Sequence, residues 1–237
     1  MAIALSVTSA IMTRTPLSFR ELVERHGQPY SELLRIDLRG GRNEEIVKWF
    51  LAAILYSKPI RESSATKTYR CFAARGVLSS NTILSAGWDV LVSILDAGGY
   101  TRYDFSTATK LLAIFGNLKK DYGGNLNLLH EQAKDPADLE NRLKALGKGI
   151  GETTVSIFLR DMRLTWIKAE PKPTPLVRKA MKKLKIKNLE AFARKKHLDL
   201  VRLDTALLRV GRNVSKKGKP IQVKSSRKEL VNAGIEP

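Results

Sequence analysis

Apolar residues recur three and four positions apart along almost the whole chain, and no stretch alternates with the two-residue period of a half-buried strand. Residues 18–27 (SFRELVERHG) predict a short amphipathic helix stopped at Gly27. Residues 43–56 (NEEIVKWFLAAILY) predict the most apolar helix, with Asn43 as candidate N-cap and Glu44 and Glu45 at the positive end of its dipole. Beyond Lys48 that helix is apolar on nearly every side, which places it in the middle of the fold. Further helices are predicted at 60–75, 80–96 and 104–122, punctuated by Gly76, Gly98-Gly99 and Gly123-Gly124. A pair follows at 136–147 and 152–162. Three prolines make 166–175 an extended connection, and helices resume at 176–185, 188–196 and 198–211. Trp49, Phe50, Phe72 and Trp88 fall on apolar helical faces and are expected in the core. The fold class expected is all-α, with a single domain over 18–211, a flexible N-terminus over 1–17 and a basic tail over 212–237.

The segment 136–162 carries the most specific pattern. Asp135-Pro136 signals a helix start, a capping side chain followed by proline at the first helical position. Leu139, Leu143 and Leu146 then share one face, and Val155, Phe158 and Leu159 give the second helix its apolar side. Between them Gly147-Lys148-Gly149-Ile150-Gly151 predicts a tight reversal with Ile150 plugging the gap. Glycines there let backbone N–H groups approach a phosphate, and the open N-terminus of the following helix adds unpaired N–H groups and partial positive charge. Such contacts grip a nucleic-acid backbone without reading bases. An ordinary αα-hairpin is the plain alternative.

Charge sharpens this. The net charge is +19, and residues 160–237 hold 22 of the 42 Lys/Arg but only 7 of the 23 Asp/Glu. An excess so concentrated is the footprint of a polyanion binder, with a solubilising tail or heat adaptation as the alternatives. The single cysteine, Cys71, excludes an internal disulfide and an iron–sulfur cluster; it is expected to pack in a helix. His26, His130 and His197 show no metal-ligand spacing. The longest apolar run, residues 49–56, is too short to span a membrane, and residues 1–12 lack the basic start of a secretory signal. A monomer inside the cell is expected, cytoplasmic and nucleoid-associated if prokaryotic.

On these residues the chain resembles the helix-hairpin-helix DNA glycosylase superfamily, the endonuclease III-like group. The resemblance covers about residues 43–211: LAAILYSKPI, GGYTRYDFSTATKLL, the hairpin and IFLRDMRLTWIKAEPKPTPLVRKAMKKL. It implies two helical lobes around a cleft that receives a flipped nucleotide from damaged double-stranded DNA, where a carboxylate assists cleavage of the N-glycosidic bond. It also implies a monovalent cation on the carbonyls of Leu146, Gly149 and Gly151, with no other cofactor required. Thr153 stands where lyase-active members carry lysine, so a monofunctional N-glycosylase is expected. Pro173-Thr174 stand where the family's aspartate falls, which leaves Glu170, Asp104 and Asp204 as candidate carboxylates. The rival expectation is a non-catalytic DNA-binding protein on the same scaffold, and a third class, a basic RNA-binding or ribosome-associated protein, leaves the hairpin unexplained.

The expected DNA contacts are Lys148, Gly149, Gly151 and Thr154 on the hairpin, extended by Arg178, Lys179, Lys182 and Lys183. Tyr100 and Tyr103 are candidates to stack on an extruded base. Lys58 and Ile60, in the turn Ser57-Lys58-Pro59-Ile60, are candidates to wedge into the duplex. Asp161 is expected to form an exposed pair with Arg160 or Arg163, contributing roughly 0–1 kcal/mol.

Overall fold

The structure, a computed structural model, describes residues 16–215 together with Val223. The described residues are helical apart from turns, connections and one isolated parallel bridge between Leu17 and Val223. Twelve helices follow one another: α1 Phe19–His26, α2 Tyr30–Leu33, α3 Asn43–Tyr56, α4 Glu62–Ala74, α5 Ser80–Ala97, α6 Asp104–Tyr122, α7 Leu126–Gln132, α8 Pro136–Ala145, α9 Glu152–Met162, α10 Pro175–Leu184, α11 Leu189–Lys195 and α12 Leu200–Ser215. None is long and apolar enough to cross a membrane among the described residues.

Helix α3 is the centre, as its pattern predicts: eight consecutive positions from Trp49 to Tyr56, with Ile46 and Val47 before them, are buried. It packs against α4, α7 and α9. Trp49 Nε1 donates to the Phe158 carbonyl of α9 at 3.0 Å, so the one polar atom of this buried ring is satisfied. Phe50 stands edge-on to both Phe115 and Phe158. Around this axis α5 lies along α6, and α12 packs on α1, α10 and α11. The α10–α12 approach is close enough that a Cβ at Gly211 would overlap the Leu176 carbonyl.

Local differences from the sequence pattern have physical causes. Arg42 is the N-cap of α3; Asn43 is its first helical residue, and its side chain instead joins Gly124 O (3.1 Å) and Leu126 N (2.9 Å). Helix α5 is broken at Gly87, whose φ of +70° no helix accommodates. Two short helices, α2 and α7, occupy stretches with too few apolar repeats to reveal them. Helix α12 continues past Arg212 to Ser215, into the expected basic tail. The expected flexible N-terminus, save for Pro16 and Leu17, lies outside the described residues, as does the remainder of the tail apart from Val223. Trp88, expected in the core, is 40% exposed and pairs with the exposed Phe105, its indole N–H donating to Thr109.

A buried ionic layer lies beneath α9. Asp161 is 1% exposed rather than at the surface; it accepts from Arg160 Nε at 2.9 Å and from the Ser31 hydroxyl and N–H at 2.8 and 3.2 Å. Removing one partner from so enclosed a pair costs about 3–5 kcal/mol, because the other charge is left stranded.

Candidate nucleic-acid interface

The hairpin forms as its spacing requires. Asp135 caps α8 through Asp138 N, and Pro136 occupies the first turn. Leu139, Leu143, Leu146, Val155, Phe158 and Leu159 are all buried, and Ile150 fills the space between α8 and α9 at 5% exposure. Gly149 holds φ at +114°, and a Cβ there would press on the Lys110 side chain of α6 at 3.0 Å. Gly151 is the N-cap of α9 and offers no side-chain cap, so the first N–H groups of α9 stay open to an outside acceptor. Lys148, Gly151, Glu152 and Thr153 are exposed at this edge. Thr154 is turned inward: it is 2% exposed and its hydroxyl donates to Gly149 O at 3.3 Å, so it shapes the hairpin.

The three carbonyls expected to hold a monovalent cation each already accept a protein hydrogen bond. Leu146 O takes Asn117 Nδ2 at 2.9 Å, Gly149 O takes Thr154, and Gly151 O takes Val155 N at 3.1 Å. A carbonyl has a second lone pair, so these oxygens keep capacity for an ion, but the hairpin needs none to satisfy them.

Beside the hairpin opens a cavity of about 830 Å³, within the roughly 300–1,000 Å³ of pockets that enclose small molecules. The turn after α3 supplies Ser57, Lys58, Pro59 and Ile60, and the start of α4 supplies Glu62 and Ser63. The hairpin's second helix contributes Thr153 and Ile157, α10 begins at the wall with Thr174, Pro175 and Leu176, and α12 brings Leu208, Arg209, Arg212 and Asn213. Thr153 and Thr174 therefore stand on one cavity although 21 positions separate them in the chain. Thr174 is buried and caps α10 through Val177 N.

The electrostatics of the wall are lopsided. Among the described residues, Lys58, Arg61, Arg209 and Arg212 face one lining carboxylate, Glu62. Glu62 accepts from Arg209 (3.0 and 3.3 Å), from Arg212 (3.4 Å) and from the Tyr30 hydroxyl (2.8 Å). Burial pushes the Tyr30 phenol far above its ordinary range, so it remains a donor to that carboxylate. His26, also on the wall, is held below the usual imidazole value by burial, then by Arg209 and Arg25, which favours its neutral form.

The structure brings Lys58 and Ile60 to the cavity and leaves the three expected carboxylates away from it. Glu170 is exposed in the connection before α10. Asp104 accepts from Phe105 N at 2.7 Å and serves the first turn of α6. Asp204 is 4% exposed and accepts from Arg163 at 3.1 Å, the helix-bridging contact that an aspartate inside an apolar helix invites. Tyr100 is buried with its hydroxyl donating to Leu55 O at 2.6 Å, and half-buried Tyr103 packs edge-on against it. Arg178, Lys179, Lys182 and Lys183 form the exposed face of α10, opposite buried Val177, Ala180, Met181 and Leu184.

The residues that sequence reasoning missed are Glu62, Arg209, Arg212 and Lys110. Glu62 follows the 57–60 turn closely and could have been weighed with it. The two arginines sit three apart on α12, an ordinary helical pattern that carries no sign of a distant partner. No protein-family model matches the chain, and no curated protein matches it.

Proposed function

We propose that the protein binds double-stranded DNA through the 146–154 hairpin and receives an extruded, damaged or deaminated nucleotide in the adjacent cavity, acting as a base-excision DNA N-glycosylase on a two-lobed helix-hairpin-helix scaffold. The observation that carries this is the sharing of the first turn of α9: its open N-terminus ends the hairpin, and Thr153 in the same turn lines the cavity. A phosphate held at the hairpin puts the neighbouring nucleotide at the cavity mouth. The cationic wall and the exposed basic face of α10 draw in and align the polyanion. Extruding a base costs a few kcal/mol, least where pairing is already weakened, and that difference selects damaged sites.

Within this reading the excision carboxylate is Glu62, the one carboxylate on the wall among the described residues. Two guanidinium groups and a phenol donate hydrogen bonds to it and fix its position, where it can face an oxocarbenium-like sugar. Duplexes carrying uracil, hypoxanthine, 8-oxoguanine or an alkylated base, assayed for abasic sites, test this. The expected outcome is abasic product from at least one lesion, lost in Glu62→Gln. Product that persists in Glu62→Gln and disappears in Glu170→Ala would move the chemistry to the connection before α10.

The clamp on Glu62 favours a second reading: a DNA-binding protein that holds an extruded nucleotide without excising it. Tight lesion binding with no abasic product from any duplex decides for that reading.

A further inference from the structure

Lysine and arginine are absent from residues 76–101, in a chain whose net charge is +19. That stretch builds α5, and its exposed side carries carboxylates and aromatic surface instead. Asp89 and Asp96 follow the Gly87 break seven positions apart, so they fall on one stripe of the helix, and both are exposed. Beside them Trp88 lies against Phe105, itself 60% exposed, with ring centroids 5.3 Å apart and planes inclined by 36°. The pair is held in place. Trp88 Nε1 donates to the Thr109 hydroxyl at 3.0 Å, that hydroxyl donates to Phe105 O at 3.0 Å, and the positive φ of Gly87 turns the chain just ahead of the indole. Among the described residues neither the Asp89 nor the Asp96 side chain has an ion-pair or hydrogen-bond partner. Arg75 and Arg102 bracket the stretch, and Arg75 Nη1 is bonded to Ser93 Oγ at 3.2 Å. On α6, Lys110 turns to Gly149 of the hairpin while Thr109 turns to Trp88, and none of these aromatic or acidic residues lines the cavity.

We infer that this face of α5 and α6 docks a basic polypeptide segment of a partner protein, whose lysine and arginine side chains lie on the Trp88 and Phe105 rings and end at Asp89 and Asp96. Aromatic faces are electron-rich and attract ammonium and guanidinium groups, and the free carboxylates accept their hydrogen bonds. The aliphatic stems of the same side chains cover the exposed ring surface. Charge decides between occupants. The phosphates of a nucleic acid would meet Asp89 and Asp96 directly, and like charges brought together oppose association. A second copy docked through the same face would set one acidic stripe against the other. A basic segment meets the opposite charge here and is repelled by the cationic remainder of the molecule, which restricts it to this face. The inference stands apart from the DNA reading, since the face shares no residue with the hairpin or the cavity.

The test titrates the full chain with a tryptophan-free helical peptide whose leucine stripe is flanked by lysines and arginines, and with a counterpart in which glutamates replace the cations. Trp49 and Trp166 are buried, so a change in indole emission reports on Trp88, and calorimetry gives the affinity in parallel. The cationic peptide should bind, shift the emission and weaken with added salt, and the glutamate peptide should not bind. Trp88→Ala should lower the affinity about tenfold, as loss of a central aromatic anchor does. Phe105→Ala and Asp89→Asn should lower it as well, and Trp88→Phe, which keeps a ring face, should retain most of it. Asp89→Asn removes charge from an exposed side chain without altering its shape, so its effect does not depend on refolding of the aromatic pair. Affinity unchanged in Trp88→Ala and Asp89→Asn, equal binding of the two peptides, or no binding of the cationic one overturns the assignment. A single-stranded oligonucleotide that shifts the Trp88 emission when the peptide does not would overturn it in favour of nucleic acid. A dimer in sedimentation that Trp88→Ala dissolves would overturn it in favour of a second copy.

Discussion

Two glycines of the hairpin do different work, and the difference is measurable. Gly149 holds a positive φ, and any Cβ there would also push on Lys110. Gly149→Ala should therefore lower stability by about 1–3 kcal/mol in urea unfolding and weaken duplex binding. Gly151 has a φ of −101° and open space around a prospective Cβ, so Gly151→Ala should change stability by less than about 1 kcal/mol. Equal stability for the two variants would contradict the hairpin geometry. The motif spelled out that this reversal exists. It did not tell which glycine is irreplaceable, because that depends on Lys110 arriving from a helix about 40 positions upstream.

Element by element, the helices with strong periodicity were readable and the weak ones were not. Helices α3, α6, α8 and α9 begin and end within a few residues of their predicted bounds, because capping, proline and glycine signals act locally. Helix α7 was missed although Asn125 caps it, since residues 126–132 lack a sustained apolar stripe. Pairing of elements is a further step. The contact between α10 and α12 relies on Gly211, and nothing local announces which backbone it faces. Gly211→Ala forces the Leu176 carbonyl away and should cost about 1–3 kcal/mol, read as a lower urea midpoint at unchanged slope. A neutral effect would show that the two helices are not in backbone contact. Since Arg209 and Arg212 ride on α12, the same variant should also disturb the clamp on Glu62.

At the scale of the whole molecule, charge was legible in amount and not in place. The basic excess after residue 160 supports a polyanion partner, and the exposed face of α10 carries part of it. Yet Arg160 is fully buried, and Arg209 is spent on Glu62 and on the carbonyls of His26 and Gln28. Exposed Lys148 is free to meet a phosphate. Lys148→Ala should weaken binding alike for duplexes of different sequence and reduce the slope of log affinity against log salt by about one. A loss confined to one sequence, or an unchanged slope, would contradict backbone contact by this residue.

From its sequence alone the protein is an all-helical chain with a buried third helix, a glycine hairpin and a strongly basic C-terminal third. Those properties arise from periodicity, capping and composition, which operate over a few residues and survive without tertiary context. The cavity was decided only by the fold. Glu62 meets Arg209 and Arg212 across nearly 150 positions, Lys58 comes to share a wall with Thr153, and Asp204 turns from that wall to Arg163. Whether a carboxylate is a buttress or a reagent depends on what is left beside it when helices far apart in the chain close together, and a linear pattern holds no record of that.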